Sequence, residues 1–434
     1  MIFMQKKTAS SVRATLGMSI TAACLSMAPS SVTAQSQLSI LCPVGLPVQQ
    51  NSGPSFIMGG TAVAVVEDYN CMLRNPANLG FINKTIFSSQ YIYDFTNIRE
   101  SGAHTNFIDG YPEQISLGIP AGLIGTIGLS YNFTSNTSAK YRQDAQSFGF
   151  DTSTIEYKSG IVLSGGTTVW QVGWGRELPS FMHLRIGASY KRVYFASTQT
   201  VLRTISDESS TVDSRDSTYS QLKCNGAGGG IMLPLGKFRV GLSGEYFFAG
   251  ELKVDNAIYS ASSDTTNSFG YNSSVPVDHK FASAGMRLPP SLTAGASYMV
   301  NKEWQAAVDL GATFWNYYYS HGLLEDSRDD AAISFSSGVQ YVPVPTIMNP
   351  RYQETIRYGA GFRYTQLSAD KSSEYAISVG TGLPIGRQNG LLTFGAEFGR
   401  RTNSNYSGLS ENFAHLSIGI NGGRKWNKSS TGNY

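Results

Sequence analysis

Large apolar residues alternate with small or polar residues along most of this chain. In LTAGASYMVNKEWQAAVDLGATFW, residues 292–315, every second residue is bulky or apolar on both sides of Asn301-Lys302-Glu303. This period of two predicts two β-strands joined by a short turn. The other face is mostly Gly, Ser and Thr, whereas the solvent face of a soluble sheet is usually rich in Lys and Glu. The pattern therefore raises the question of which face is the inside.

The same alternation recurs along the chain, beginning with a first clear strand at residues 86–95. Further segments follow at residues 127–133, 184–191, 238–243, 356–365 and 392–399. Segments of about ten residues that alternate in this way, separated by turns, are the signature of a transmembrane β-barrel. We therefore predict an all-β fold, an antiparallel transmembrane barrel of residues 86–434. Its apolar face contacts lipid, and its small and polar face lines the lumen.

Charged residues fall on the predicted lumen face, and both signs occur. The candidates are Arg185, Lys191, Arg239, Glu245, Asp309, Arg357, Arg363 and Glu397. Two interpretations remain open for them. They form a network that holds wall and plug together, or they form a ring that selects a substrate.

Turn signals punctuate the strands. Pro followed by Gly two places on marks tight reversals at IPAG (119–122), LPLG (233–236) and LPIG (383–386). Long polar stretches at residues 135–159, 198–220, 250–278 and 320–351 are interpreted as loops on the opposite side, some of which extend strands beyond the bilayer. Short turns on one side and long loops on the other are typical of outer-membrane barrels.

The N-terminus has the layout of a secretory signal peptide over residues 1–34. Lys6, Lys7 and Arg13 precede an apolar run from Ala14 to Ala28, which is too short for a membrane-spanning helix. A lipoprotein start at Cys24 is the alternative. We expect cleavage near Gln35 and residence in a Gram-negative type of outer membrane.

About fifty residues of the expected mature chain, 35–85, precede the first strand and do not alternate. They are too apolar to remain solvated, which favours a hatch or plug folded into the barrel lumen over a disordered tail. Cys42 and Cys71 can form a disulfide in an oxidising compartment, which would leave Cys224 without a disulfide partner. The alternative is that all three thiols are free.

Composition fits a membrane barrel better than an enzyme. Charged residues make up 15% of the chain, against roughly 25% in soluble chains. The net charge is +3 and the basic residues are scattered, so no nucleic-acid partner is indicated. The five histidines lack a metal-binding spacing such as HExxH, and a GxSxG elbow is absent. We expect no catalytic residues, cofactor or metal, and a monomer in contact with outer-membrane lipid.

Three stretches resemble the FadL-type family of outer-membrane transporters for long-chain fatty acids and other hydrophobic compounds. GGTAVAVVEDYNCMLRNPANLGF (59–81) is similar to its hatch region, with Asn75, Pro76 and Ala77 at the family's NPA motif. RLPPSLTAGASYMVNKEWQAAVDLGATFW (287–315) resembles its central signature. FGAEFGRR (394–401) and ENFAHLSIGI (411–420) resemble its last strands. Where the family has a short acidic-alanine run before NPA, this chain has VEDYNCMLR.

This resemblance implies a barrel of about fourteen strands that is closed by its hatch. A fatty acid or similar hydrophobic ligand would bind in an apolar groove, then pass the hatch or leave sideways through a gap in the wall. Asn75 would satisfy local backbone groups and Pro76 would fix a turn, or the motif only shapes the approach to the first strand. The alternative function is a non-transporting barrel of the same type that serves as a docking or shuttle component in protein secretion.

Overall fold

The computed structural model describes most of the chain beyond its N-terminal region. The described residues are 46–48, 52–66, 74–100, 103–150, 153–206, 210–264, 276, 278–315, 319–320, 331–343, 351–367, 372–385, 390–403 and 409–424. The predicted signal peptide, Cys42 and Cys71 lie outside these ranges. No helix among the described residues is long and apolar enough to cross a membrane.

The described residues form strands and a few short helices. The strands of the first half are β1 (Leu46–Pro47), β2 (Thr85–Glu100), β3 (Ala103–Pro120), β4 (Thr126–Asn136), β5 (Ala139–Phe150), β6 (Ser153–Leu178), β7 (Leu184–Ser206), β8 (Ser210–Leu235) and β9 (Phe238–Phe247). Those of the second half are β10 (Gly250–Asp264), β11 (Asp278–Arg287), β12 (Ser291–Met299), β13 (Trp304–Phe314), β14 (Tyr319–Ser320), β15 (Ala331–Tyr341), β16 (Arg357–Gln366), β17 (Ser372–Ile385), β18 (Gly390–Asn403) and β19 (Leu409–Arg424). The helices are α1 (Gly53–Ile57) and 3-10 turns at Pro76–Phe81, Gly122–Ile124 and Tyr352–Thr355.

Consecutive antiparallel pairing makes a closed wall of fourteen strands. Four wall strands are each divided into two segments that follow one another along the wall: β4 with β5, β9 with β10, β11 with β12, and β13 with β14. The wall closes where β19 pairs with β2 from Leu409↔Glu100 to Arg424↔Thr85. The predicted all-β barrel of about fourteen strands is confirmed.

Exposure follows the predicted alternation along the wall strands. On β13, Val308 and Leu310 are 44% and 57% exposed, whereas Asp309 between them is 2% exposed. Apolar side chains that point outward from a closed barrel need a non-aqueous environment, because burying them in lipid removes their apolar area from water. Phe238 with Tyr298 and Trp304 with Tyr341 pair on the outer face, with ring centroids 4.4 Å and 5.2 Å apart. Such aromatic pairs are typical of the girdle at a membrane boundary.

Short turns lie at one end of the barrel, which we call the turn end. Between β12 and β13 the Asn301 side chain accepts hydrogen bonds from the backbone N–H groups of Glu303 (2.8 Å) and Trp304 (2.7 Å), which fixes the predicted reversal. Gly122 and Gly236 of the IPAG and LPLG motifs both have φ +64°, as expected for tight reversals. The Gly of LPIG lies outside the described residues.

At the other end, which we call the extended end, several polar stretches are strands rather than the predicted loops. Residues 135–159 contain β5 and the start of β6, residues 198–220 contain parts of β7 and β8, and residues 250–278 contain β10. Residues 320–351 contain β15, a full wall strand. The first three stretches extend strands, as the interpretation allowed: a strand beyond lipid needs no apolar face, so its alternation is lost while its Thr residues still favour extended structure. The loop prediction was wrong for β15, whose short alternating run lies within a long polar stretch.

Candidate functional site: the lumen

Residues 52–66 and 74–84, which we call the lumen segment, lie inside the barrel. Ser52 caps α1, since its hydroxyl accepts a hydrogen bond from the Ser55 N–H at 3.3 Å, and Pro54 stands in the first turn, where its missing N–H costs nothing. Gly59 and Gly60 follow with φ of +69° and +87° and end the helix.

Asn75 connects the two halves of the lumen segment and the wall. Its side-chain oxygen accepts a hydrogen bond from the Ala77 N–H at 3.0 Å and begins the 3-10 turn of Pro76–Phe81. Its amide nitrogen donates to the carbonyls of Val63 (2.8 Å) and of Ile231 on β8 (3.3 Å). The side chain is fully buried, so these partners replace all contact with water.

Polar side chains from other wall strands bind the backbone of the lumen segment. Asp309 on β13 accepts hydrogen bonds from the N–H groups of Ala62 (2.7 Å) and Val63 (3.1 Å). Ser378 on β17 accepts from Gly59 N–H at 2.9 Å and donates to the Ile57 carbonyl at 2.9 Å. Three further hydroxyls donate to carbonyls of the segment: Ser297 to Ala64 (2.8 Å), Ser243 to Arg74 (2.5 Å) and Thr126 to Ile82 (3.1 Å). The segment is therefore anchored around most of the circumference.

Wall glycines allow the lumen segment to approach the strands backbone to backbone. A Cβ placed on Gly361 would lie 2.2 Å from the Gly59 nitrogen, and one on Gly187 would lie 2.3 Å from the Pro76 carbonyl carbon. Gly241 and Gly338 face Val63 and Met58 in the same way. Inward glycines of the sequence pattern, including Gly230 of the GAGGG run of β8, thus lie at sites where the lumen segment approaches the wall closely.

The predicted lumen charges all lie on the inner face, but they fall into separate groups. At the turn end the Arg185 guanidinium stacks on Phe81, 3.3 Å from the ring centroid, and donates to Glu177 at 2.7 Å, while Arg239 lies 6.0 Å from the same ring. Lys191 pairs with Glu245. Arg357 lines a small pocket beside Pro54 and Ile57.

The largest charge group lies near the closure of β19 on β2. Arg363 donates to Glu397 through Nε (2.9 Å) and Nη2 (2.7 Å), and it also binds Glu374. Sequence reasoning missed the other members, which are Asp94, Glu374, Arg401, Glu411 and His415. His415 lies between Glu397 (2.9 Å) and Asp94 (3.5 Å), and Arg401 binds Glu374. The signal that could have found Arg401 is its spacing of four from Glu397, which places both on one face of β18.

A cavity of about 250 Å³ lies against the lumen segment. Charged groups of both signs and several hydroxyls contribute to its lining: Arg74, Glu245, Arg363, Glu374, Ser243, Thr293, Ser334 and Thr365. Its apolar contacts include Pro47, Val48 and Trp315. Charged and apolar groups thus share this lining, whereas the family resemblance implied an apolar groove.

Apolar side chains do occur in the lumen, but they pack against one another. Phe195 and Leu222 face each other across β7 and β8, and Val193 faces Cys224 two residues along the same face. These four are buried with further members of one cluster: Val169, Leu252, Met286, Leu288 and Trp315. The Cys224 thiol is free. This cluster fills the interior of the barrel on one side.

The wall is split on one side towards the extended end. β3 pairs with β4 only over Gln114–Pro120. Beyond that, among the described strands, β3 pairs only with β2, and β5 pairs only with β6. β1 adds to β4 at this point, with Leu46 opposite Asn136. The hydrogen-bonded ladder is therefore interrupted between β3 and β5.

The fold and this lumen define a closed outer-membrane type of barrel with a chain segment inside. The BamG family model matches residues 18–431, and the chain belongs to the BamG family. No curated protein matches the chain.

Several solved barrels share the fold. The toluene transporter TbuX of Ralstonia pickettii is 15% identical with a TM-score of 0.56, and the match covers 86% of this chain and 98% of that one. The toluene transporter TodX of Pseudomonas putida is 14% identical, and a Pseudomonas aeruginosa FadL homologue is 13% identical. Both have a TM-score of 0.56, and each match covers 88% of this chain and 100% of the other. The resemblance to FadL-type barrels is confirmed at the level of fold.

Proposed function

We propose that this chain is an outer-membrane barrel that docks protein partners, as a docking or shuttle component in protein secretion, and that its lumen segment is a fixed plug. The observation that carries this proposal is the anchoring of the segment. Hydrogen bonds reach it from β4, β8, β9, β12, β13 and β17, and wall glycines leave no space between the two backbones. Moving the segment would leave many buried polar groups unpaired, at a cost of about 1–3 kcal/mol each.

The charged groups of the cavity support the same function. Arg74, Glu245 and Glu374 are bound to protein partners, and a hydrocarbon chain beside them would offer no hydrogen bond to their remaining polar atoms. The apolar cluster of Phe195, Leu222 and their neighbours is already filled by its own side chains. Neither region is an open route for a hydrophobic molecule.

The extended end provides a surface for partners. About ten residues of a tilted strand suffice to cross a bilayer. β6, β7 and β8 have 26, 23 and 26 residues, so more than half of each strand projects beyond the membrane. In the orientation of outer-membrane barrels this sheet lies outside the cell, and the turn end faces the periplasm.

A docking barrel is tested by shortening this sheet without disturbing the wall. Gln199 and Thr218 face each other on β7 and β8, so joining them by a two-residue turn removes the hairpin tip and keeps the ladder below. We expect the shortened barrel to fold and to lose the partners bound at the extended end, so that on native gels of membrane extracts it migrates in a smaller complex than the full chain. A matched control joins Ile98 to Thr105 on β2 and β3, which also face each other, and should leave the complex intact.

The second candidate is import of hydrophobic small molecules, with long-chain fatty acids as the specific prediction. It is favoured by the fold likeness to the toluene transporters and by the interrupted ladder between β3 and β5, through which a ligand could leave sideways. Uptake of a labelled fatty acid or of toluene by cells that lack their own transporter distinguishes this function from docking.

A further inference from the structure

Large apolar side chains are exposed at the turn end. Leu123 and Ile124, in the turn between β3 and β4, are 89% and 66% exposed. Phe181 and Met182, in the turn between β6 and β7, are 68% and 66% exposed. We call these four residues the apolar tips. Because β4 pairs with β6, the two turns are neighbours, and the Trp174 indole N–H donates to the Ile124 carbonyl at 2.8 Å.

The second turn is held in a strained conformation that presents these side chains. Met182 and His183 have φ of +54° and +58°, a region that residues with a Cβ rarely adopt. The His183 ring nitrogen contacts Glu177 at 2.5 Å, and backbone hydrogen bonds link Phe181 to Leu178 and to Leu184. Positive φ at both central residues is the arrangement of a type I′ hairpin turn, which here places Met182 and His183 at the tip.

The apolar tips lie beyond the lipid-facing part of the wall. On β6 the exposed, outward-facing Arg176 comes between the outward Val172 and Phe181. An outward charge at this level marks the end of the hydrocarbon region, since ionised groups are costly inside it. Phe181 and Met182 therefore project past the membrane boundary.

Exposed positive charge surrounds the same end of the barrel. Among the described residues at the turn end, the exposed cations are Arg176, Lys237, Lys302, Arg351 and Arg424, whereas the acidic side chains are Glu354, which is exposed, and Glu177 and Glu303, which are partly buried. A surface with this imbalance attracts an acidic partner and repels a basic one.

We propose that the turn end is the docking surface for an acidic periplasmic protein, whose apolar contact covers the apolar tips. Charge complementarity selects this partner, and an apolar centre with a charged surround is the usual arrangement of a protein interface. The inference rests on the docking function proposed above and adds a second docking surface, at the opposite end of the barrel from the extended end, with the chemistry of its partner.

The test compares two double variants with a matched control. Phe181→Ser/Met182→Ser removes two apolar tips, and Lys237→Glu/Lys302→Glu reverses two exposed charges. Lys253→Glu/Lys280→Glu makes the same charge change on β10 and β11 near the extended end. The measured quantity is the fraction of the barrel that migrates in a larger complex on native gels at low and at high salt.

We expect each turn-end variant to lower that fraction by about tenfold, the effect of losing a central interface contact. High salt should weaken the wild-type complex, and the Lys253/Lys280 variant should behave as wild type. A complex that survives both turn-end variants but is lost with the β7–β8 tip would overturn this inference and leave docking intact. A wild-type barrel that migrates alone would overturn both.

Anionic lipid headgroups are the other possible occupant of the turn-end cations. Purified wild-type and Lys237→Glu/Lys302→Glu barrels are placed in nanodiscs of phosphatidylethanolamine, with or without phosphatidylglycerol, and their melting temperatures are compared. If phosphatidylglycerol shifts the melting temperatures of the two barrels equally, the cations do not bind lipid and a protein partner is supported. A stabilisation by phosphatidylglycerol that only the wild type shows would assign the cations to lipid headgroups and overturn the proposal.

Discussion

Asn75 and Gly230 are in direct contact: a Cβ placed on Gly230 would lie 2.1 Å from the Asn75 side-chain oxygen. That oxygen also accepts the hydrogen bond from the Ala77 N–H. The motif of the lumen segment and the GAGGG run of the wall therefore form one packed unit. The absence of a side chain at Gly230 is a condition for the Asn75 hydrogen bonds.

Gly230→Ala should displace the lumen segment. The added methyl cannot be accommodated without moving Asn75, and overpacking of this kind costs about 1–3 kcal/mol. We expect a lower melting temperature and a measurable ionic conductance in planar bilayers. Gly229→Ala is the matched control, because its nearest neighbour, the Gly187 carbonyl oxygen, is 4.0 Å away. Equal melting temperatures and equal conductances for the two variants would contradict the contact between Gly230 and Asn75.

Asp309→Leu should loosen the same segment from the opposite wall. It removes the acceptor of the Ala62 and Val63 N–H groups, and each buried donor left unpaired costs about 1–3 kcal/mol. We expect faster proteolysis of the lumen segment in detergent-solubilised barrels. Asp309→Asn keeps a carbonyl acceptor and should show a smaller effect, so identical proteolysis of both variants would argue against these hydrogen bonds.

Arg363→Met should destabilise the barrel near its closure. It leaves Glu374 and Glu397 buried without their shared guanidinium, and breaking a buried ion pair costs about 3–5 kcal/mol. Urea unfolding in lipid vesicles measures the loss. Adding Glu374→Gln and Glu397→Gln to Arg363→Met should recover part of the stability, since the unpaired charges are then gone. A triple variant less stable than Arg363→Met would contradict this account.

Cys224 reports on the packing of the apolar lumen cluster. In a Cys42→Ser/Cys71→Ser background it is the one cysteine of the expected mature chain, and it is buried among Val193, Leu222 and their neighbours. We expect negligible maleimide labelling of the folded barrel and full labelling in denaturant. Trp315→Ala should open the cluster and speed labelling, whereas rapid labelling without that change would show that the cluster is open to solvent.

The wall could be predicted from the sequence, because alternation reports which face meets lipid. Val308, Leu310 and Asp309 lie as the pattern predicts, and the turn at Asn301 is where the apolar period breaks. Beyond the bilayer the constraint that one face be apolar disappears. The polar halves of β7 and β8 therefore carry no such pattern and were interpreted as loops.

The lumen was predicted less completely. Inward position follows from alternation, so Arg363 and Glu397 were placed on the correct face. Their assembly with Glu374 and Arg401 depends on the strand register, which one sequence does not specify. The contact of Asn75 with Ile231 also joins residues far apart in the chain. The predicted pairing of Cys42 with Cys71 stays a prediction, and so does the fatty-acid specificity.

Uptake of a labelled long-chain fatty acid tests the central claim most directly. Cells that lack their own transporter would express the wild type or Asn75→Ala/Pro76→Ala at matched barrel levels. A fixed plug in a docking barrel predicts that wild-type cells take up no more label than cells with an empty vector. Uptake restored by the wild type and lost in the variant would contradict it and would establish a transporter whose lumen segment takes part in import.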